Sequence, residues 1–246
     1  MKRFAVVQHS YSEFLGLIET QLEKRDIGFI YFRPFLGQDL PGSGLQFDAL
    51  FLLGGPMSPL DSGQHAWLQD EIRVIGAFRQ ARRPIVGIGM GAMLMAAYEG
   101  AQLSAEPAIN AYWTTAHKTR TGEGDPLAEA VDGEPVLVWA PGQAILPPGM
   151  EPILVDDAGR WIAFRPDAQS IGMLFRPEMK PGMIEDILME EDREVPENVG
   201  ELMERMRELW PQMQRQTDKV VVALVSSLQL MQERHKPPVF SLKVEQ

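Results

Sequence analysis

The segment PIVGIGMGAMLMA at residues 84–96 decides the fold, because it joins a short apolar strand to a helix through three closely spaced glycines. Residues 84–88 predict a parallel strand covered on both faces, and the apolar residues that follow predict a helix ending at Gly100. Such a turn can bind a phosphate at a helix N-terminus, or it can be an elbow that displays one side chain above the sheet. GIGMG lacks the full G-x-G-x-x-G spacing and lies outside the first strand–helix unit, which favours the elbow.

The sequence on the N-terminal side of this segment alternates apolar strands with amphipathic helices. Strands are predicted at residues 4–10, 28–35 and 49–53, and helices at 13–25 and 65–82. This alternation, with strands that are apolar throughout, is typical of a mostly parallel sheet with helices on both faces. We therefore expect an α/β three-layer sandwich.

The sequence beyond Gly100 changes character. Five short strand patterns near residues 111–115, 136–138, 153–155, 161–164 and 171–175 predict antiparallel additions to the sheet or to a side ribbon. Residues 196–236 have a helical pattern, which Pro211 should divide into two helices before Pro237 and Pro238 end it. We expect one α/β domain over residues 1–190 and a helical extension over residues 191–246 that packs on it. The packing face would carry Leu202, Met206, Leu209 and Met213.

Composition excludes several classes of function. The net charge is −11, with 34 acidic against 23 basic residues, which argues against a nucleic-acid partner because phosphate binding depends on Lys and Arg. Cysteine is absent, so disulfides, thiolate metal sites and cysteine nucleophiles are excluded. No apolar stretch reaches the length of a transmembrane helix, and we expect a cytoplasmic protein. The four histidines are scattered without metal-ligand spacing, so neither a metal nor another cofactor is expected.

Four motifs in order resemble those of class I glutamine amidotransferases, particularly the branch that includes the GMP synthase glutaminases. Residues 84–96 resemble the family's P-V-L-G-I-C-L-G-A-Q-L-L-A, and LLGGPMSPLD at 52–61 resembles its oxyanion-loop segment L-G-G-P-M-S. VWAPGQAILPPG at 138–149 resembles W-H-G-D-x-x-x-L-P-P-G, and IGMLFRPE at 171–178 resembles G-x-Q-F-H-P-E. The resemblance implies a flavodoxin-like sandwich, a binding site that includes Gly54, Gly55 and Pro56, and a partner synthase that receives ammonia.

The departures from this pattern fall on the reactive residues. Gly89 stands where the family has its nucleophilic cysteine, and Arg176 stands where it has its histidine, while Glu178 retains the third triad position. Gly89 has no side chain with which to attack, and the guanidinium of Arg176 stays protonated and cannot act as a general base. Met93 replaces a glutamine of the family, and with Met90 it would either fill the former site or serve ordinary core packing.

We therefore expect a glutamine amidotransferase-like protein that is catalytically inactive and acts as a binding or partner-docking subunit. One alternative is an enzyme with altered chemistry, in which Arg176 and Glu178 hold an amide or carboxylate substrate. Another is a true amidotransferase with a non-cysteine nucleophile, for which Ser10 and Ser58 are the candidates. A homodimer through the exposed share of the C-terminal helical face is a further arrangement that the sequence leaves open.

Overall fold

A computed structural model describes residues 2–191 and 193–231 and contains two sheets. The strands are β1 (Lys2–Val7), β2 (Ile27–Phe32), β3 (Ala49–Leu52), β4 (Ile85–Ile88), β5 (Gln102–Thr115), β6 (His117–Lys118), β7 (Pro135–Ile145), β8 (Pro152–Val155), β9 (Trp161–Asp167) and β10 (Ser170–Met173). The helices are α1 (Gly16–Glu23), α2 (Trp67–Gln80), α3 (Met90–Tyr98), α4 (Pro126–Val131), α5 (Pro181–Met189) and α6 (Val199–Ser227).

The main sheet has the order β2-β1-β3-β4-β10-β9-β8-β6. Its first five strands are parallel to one another, whereas β9, β8 and β6 continue the sheet through antiparallel pairs. Strands β5 and β7 form a separate antiparallel ribbon. The predicted α/β fold with a mostly parallel central sheet is confirmed. The added antiparallel strands occur both in the main sheet and in a side ribbon, the two positions that the sequence allowed.

Alternate residues of the parallel strands supply two cores, one on each face of the sheet. In β1, Phe4 and Val6 face the core covered by α1, α4 and the end of α6, whereas Ala5 and Val7 face the core covered by α2 and α3. Both faces of β3, of β4 and of β1 from Phe4 onward are therefore withdrawn from water, which explains why these strands read as unbroken apolar runs, whereas the edge strand β2 is mostly half-buried. The arrangement is the three-layer sandwich that the sequence predicted.

Helix α6 corrects one expectation, because it runs through Pro211 without interruption as Val199–Ser227. Proline removes one backbone hydrogen bond, here the one to the carbonyl of Arg207. Pro211 and Arg207 are both exposed, so water can bind the released carbonyl and the helix need not break. The part of the predicted helical stretch from residue 232 onward, with Pro237 and Pro238, lies outside the described residues.

The apolar face of α6 packs on the body of the protein. Its N-terminal half shares a buried cluster with α5 and with Leu137 and Trp139 of β7, to which α6 contributes Leu202, Met206 and Met213, with Leu209 partly buried beside them. The indole N–H of Trp113 also donates to the carbonyl of Leu202 at 3.2 Å. Within the described ranges, no helix is long and apolar enough to cross a membrane.

Candidate functional site

The turn between β4 and α3 has the geometry of an elbow. Gly89 has φ +56° and ψ −114°, a conformation that L-residues with a side chain adopt only under strain. Its N–H donates to the carbonyl of Met173 at 2.8 Å, and that of Gly91 donates to the carbonyl of Leu53 at 3.0 Å. These bonds fix the turn between the ends of β10 and β3. Met90 is the first residue of α3, so its backbone N–H has no hydrogen-bond partner within the helix.

The guanidinium of Arg176 occupies the space above the elbow. Nε donates to Oε1 of Glu178 at 2.5 Å, and Nη1 donates to Oε1 of Glu13 at 2.9 Å. A Cβ atom placed on Gly54 would overlap the guanidinium, and one placed on Gly89 would lie 3.2 Å from Cδ of Arg176. Arg176 is 2% exposed, so its side chain fills the volume between these two glycines rather than lining an open cleft.

Arg176 belongs to a chain of buried charges that reaches the segment after α5. The second carboxylate oxygen of Glu13 accepts a 2.7 Å hydrogen bond from Nη2 of Arg193, whose Nη1 contacts Glu190 at 3.0 Å. Glu190 accepts in turn from the hydroxyl of Ser12 at 2.6 Å. Burial alone would raise the pKa of Glu13, but Arg193 and Arg176 lower it to about 2, so this carboxylate is ionised at neutral pH.

The buried pair of Arg176 and Glu178 has one unpartnered atom on each side. Nη2 of Arg176 and Oε2 of Glu178 make no hydrogen bond to the rest of the described chain. Burial would lower the pKa of Arg176, and the two neighbouring carboxylates outweigh that effect and raise it. Burial raises the pKa of Glu178, an effect that the contact with Arg176 opposes.

The loop of Gly54 and Gly55 contacts a second buried ion pair, formed by His9 and Glu71. Nδ1 of His9 lies 3.0 Å from the carbonyl oxygen of Gly54, and Nε2 lies 2.9 Å and 3.0 Å from the two carboxylate oxygens of Glu71. Both ring nitrogens face acceptors, and only the imidazolium can donate through both of them. Burial would lower the pKa of His9, and the charge of Glu71 overcomes this and raises it.

The structure brings most of the predicted site residues to one place, which we call the Arg176 site: Gly54, Gly55, Gly89, Met90, Arg176 and Glu178. A Cβ on Gly55 would lie 2.8 Å from Sδ of Met90, so this methionine closes the site against the loop. Met93 lies further along α3, is 1% exposed and packs in the core. Pro56 is only partly buried, at the edge of the loop.

Sequence reasoning missed Glu13, Arg193 and the His9–Glu71 pair. Glu13 follows the carboxyl end of β1, the edge at which parallel strands of open sheets place their functional residues, and this position was an available signal. Arg193 contacts Glu13 across 180 positions of sequence, and no local pattern marks that contact. Within residues 2–191 and 193–231, no group of three or more His, Asp or Glu side chains could hold a metal ion.

Comparisons with known proteins agree with the fold. The family model described as glutamine amidotransferase class-I matches residues 6–189. A glutamine amidotransferase structure from Methylobacillus flagellatus superposes with a TM-score of 0.81 at 20% identity, covering 97% of this chain and 100% of that one. One from Thermotoga maritima gives 0.74 at 18% identity, covering 92% and 98%. A putative GMP synthase protein from Thermoplasma acidophilum gives 0.54 at 17% identity, covering 86% and 98%. No curated protein matches.

Proposed function

The chain belongs to the class I glutamine amidotransferase family, and we propose that it is a member without glutaminase activity that serves as a docking subunit for a protein partner. The observation that carries the proposal is the position of Arg176. Its guanidinium occupies the space between Gly54 and Gly89 and is held there by two buried carboxylates. The site thus has no thiol and no imidazole, and the guanidinium takes up the space beside Gly54 and Gly89.

Loss of nucleophile and base together removes the acyl-transfer route. Cysteine-dependent hydrolysis of an amide needs a thiolate to form the acyl intermediate and a histidine to move the proton. Gly89 and Arg176 supply neither, and Glu178 now accepts from Arg176 instead of orienting an imidazole. What remains is the scaffold of that chemistry, with the tight elbow at Gly89 and the helix that starts at Met90.

An altered chemistry at the same place has one observation in its favour, the unpartnered Nη2 of Arg176 and Oε2 of Glu178. Both residues are nearly inaccessible, at 2% and 0% exposure, and a substrate would have to break their mutual ion pair to reach them. Breaking a buried pair costs on the order of 3–5 kcal/mol, so binding there is disfavoured relative to the closed state.

A serine nucleophile finds little support in the contacts. The hydroxyl of Ser58 accepts from the N–H of Leu60 at 3.2 Å, as the cap of a short 3₁₀ turn. The hydroxyl of Ser10 donates to Glu13 at 3.2 Å, but both arginines that bind Glu13 lower its pKa and make it a poor base. Neither serine lies on the elbow.

The docking role is supported by exposed apolar side chains at the edge of the sheet where the elbow lies. Tyr11, Leu36 and Leu60 follow the carboxyl ends of β1, β2 and β3 and are 68%, 47% and 50% exposed. Parallel neighbouring strands place their carboxyl ends at one edge of the sheet, and the ring of Tyr11 packs edge-on against Phe35, the neighbour of Leu36, at 5.0 Å. Exposed apolar groups gathered on one face are a mark of protein contact surfaces. We propose that the partner is a synthase and that the protein is cytoplasmic. The alternative is that the same surface binds a second copy of this chain.

Glutamine hydrolysis tests the proposal, measured as ammonia release by the natural protein and by the double variant Gly89→Cys/Arg176→His. Arg176→His removes the contacts that a side chain on Gly89 would make with Cδ of Arg176 at 3.2 Å and Nη1 at 3.3 Å. The contact with the carbonyl oxygen of Trp139 at 2.9 Å remains in both double variants and requires a small backbone shift. The matched control is Gly89→Ala/Arg176→His, which has the same backbone strain and the same histidine but no thiol.

We expect no hydrolysis by the natural protein or by the alanine control, and measurable hydrolysis by the cysteine double variant. Hydrolysis by the natural protein that is lost on Glu178→Gln or Ser10→Ala would overturn the proposal. For the docking role, Tyr11→Asp should abolish capture of the partner synthase while the thermal midpoint falls only slightly, since Tyr11 is 68% exposed and packs on Phe35 only through a ring edge.

A further inference from the structure

An open cleft lies between the β5–β7 ribbon and the β8–β9 hairpin. Its volume is about 360 Å³, within the usual size range of small-ligand pockets. It shares no residue with the Arg176 site. We call it the Arg160 cleft, and its walls include Asn110, Tyr112, Gln143, Ile145, Arg160 and Trp161.

Arg160 is held in place at this cleft by a buried carboxylate. Nε of Arg160 donates to Oδ2 of Asp156 at 2.7 Å, and the hydroxyl of Tyr112 donates to the same oxygen at 2.7 Å. The guanidinium lies 4.5 Å from the centre of the Tyr112 ring, a cation–π contact. Asp156 is 2% exposed, and its other oxygen accepts the N–H groups of Ala158 and Arg160.

The same contacts keep the carboxylate charged and leave part of the guanidinium free. Burial alone would raise the pKa of Asp156, but the hydrogen bonds from Tyr112 and Arg160 lower it. Nη1 and Nη2 of Arg160 donate to no group among residues 2–191 and 193–231. A guanidinium that is preoriented in this way can bind an anionic oxygen group through two parallel hydrogen bonds.

The remaining walls suit a planar ring. The indole N–H of Trp161 donates to the carbonyl of Ala144 at 2.6 Å, and its ring packs edge-on against Phe164 at 5.2 Å, so the plane of the indole is fixed. The cleft is also lined by Asn110 and Gln143, whose side-chain amides each carry a donor and an acceptor. Carboxamides of this kind pair with the donor and acceptor atoms on the edge of adenine.

We propose that the Arg160 cleft binds a purine nucleoside monophosphate, with the base against Trp161 and the phosphate at Arg160. The base would stack on the aromatic face of Trp161, and the phosphate would accept charge-assisted hydrogen bonds from Arg160. Both contacts would contribute to the affinity. The net charge of −11 opposes anions in general, so binding depends on this locally presented cation. The proposal does not depend on whether the Arg176 site is catalytic.

Isothermal titration of the full chain with adenosine monophosphate tests the proposal, with adenosine and inorganic phosphate as half-ligand controls. Arg160→Ala should weaken nucleotide binding by at least about tenfold, the effect of losing a hydrogen bond to a charged group. Arg205→Ala is the matched control, because Arg205 is an exposed α6 arginine whose removal changes the net charge equally. Its nucleotide affinity should equal that of the natural protein.

Three outcomes would overturn the proposal. They are no binding heat at millimolar nucleotide, nucleotide affinity no better than that of inorganic phosphate, and equal affinity in Arg160→Ala and Arg205→Ala. If Arg160→Ala does not fold, Asn110→Ala decides in its place. Asn110 is partly exposed and makes no hydrogen bond through its side chain to the described chain, so the fold should tolerate its loss. That variant should lose affinity for the nucleotide while its affinity for inorganic phosphate is unchanged.

Discussion

Replacing Arg176 by methionine should destabilise the protein strongly, although methionine fills much of the same volume. Glu178 would then be fully buried without a cation, whereas Glu13 would keep Arg193 at 2.7 Å. Breaking a buried pair by removing one partner costs about 3–5 kcal/mol. For a chain of this length each kcal/mol lowers the thermal midpoint by about 2–4 °C, which gives a decrease of roughly 6–20 °C.

The assay is equilibrium denaturation by urea, followed by thermal melting of the same variants. Arg176→Met/Glu178→Gln should recover most of the lost free energy of unfolding, because the double variant no longer buries an unpaired carboxylate. Arg205→Met removes an exposed pair with Glu208 and should cost less than about 1 kcal/mol. A loss of less than about 1 kcal/mol in Arg176→Met, or no recovery in the double variant, would refute the idea that this arginine is a buried structural cation.

The remaining predictions concern pH, packing and α6. The lowered pKa of Glu13, about 2, means that its stabilising effect is complete above its unfolded pKa of about 4.3 and is lost as pH falls toward 2. Urea midpoints from pH 6 to 2 should therefore fall less steeply in Glu13→Gln, and an unchanged slope would contradict this. Gly91→Ala should cost roughly 2–4 kcal/mol in urea unfolding, because a Cβ there would overlap the backbone carbonyl of Leu52; a neutral result would show that α3 can shift. Pro211→Ala should raise the thermal midpoint, since proline costs up to about 3 kcal/mol within a helix; a lower midpoint would mean that the proline is favourable there.

Much of the fold could be predicted from local sequence. The strands at residues 49–53 and 84–88 and the turn at Gly89 follow from unbroken apolar runs and glycine placement, which depend on neighbouring positions. The single helix through Pro211 could not be predicted from the same signals. Whether a proline breaks a helix depends on whether the released carbonyl faces water, and that is set by how the helix packs.

Some residues of the candidate site could likewise be predicted from the sequence, and others could not. The residues at positions 54, 55, 89, 176 and 178 could be located by motif order, because each lies directly after a strand or on a glycine turn. Glu13 and Arg193 could not, since their contact depends on side chains brought together from 180 positions apart.

The sequence by itself determined that this protein has no cysteine nucleophile, because the absence of cysteine is a covalent fact that no folding can change. It also determined the layered α/β arrangement, since the spacing of apolar residues sets which faces must be buried. Only the tertiary structure decided that Arg176 fills the space between Gly54 and Gly89 instead of lining an open cleft. A guanidinium can bind a ligand or neutralise buried carboxylates, and the choice depends on which acids the fold places within hydrogen-bonding distance. Here they are Glu13 and Glu178.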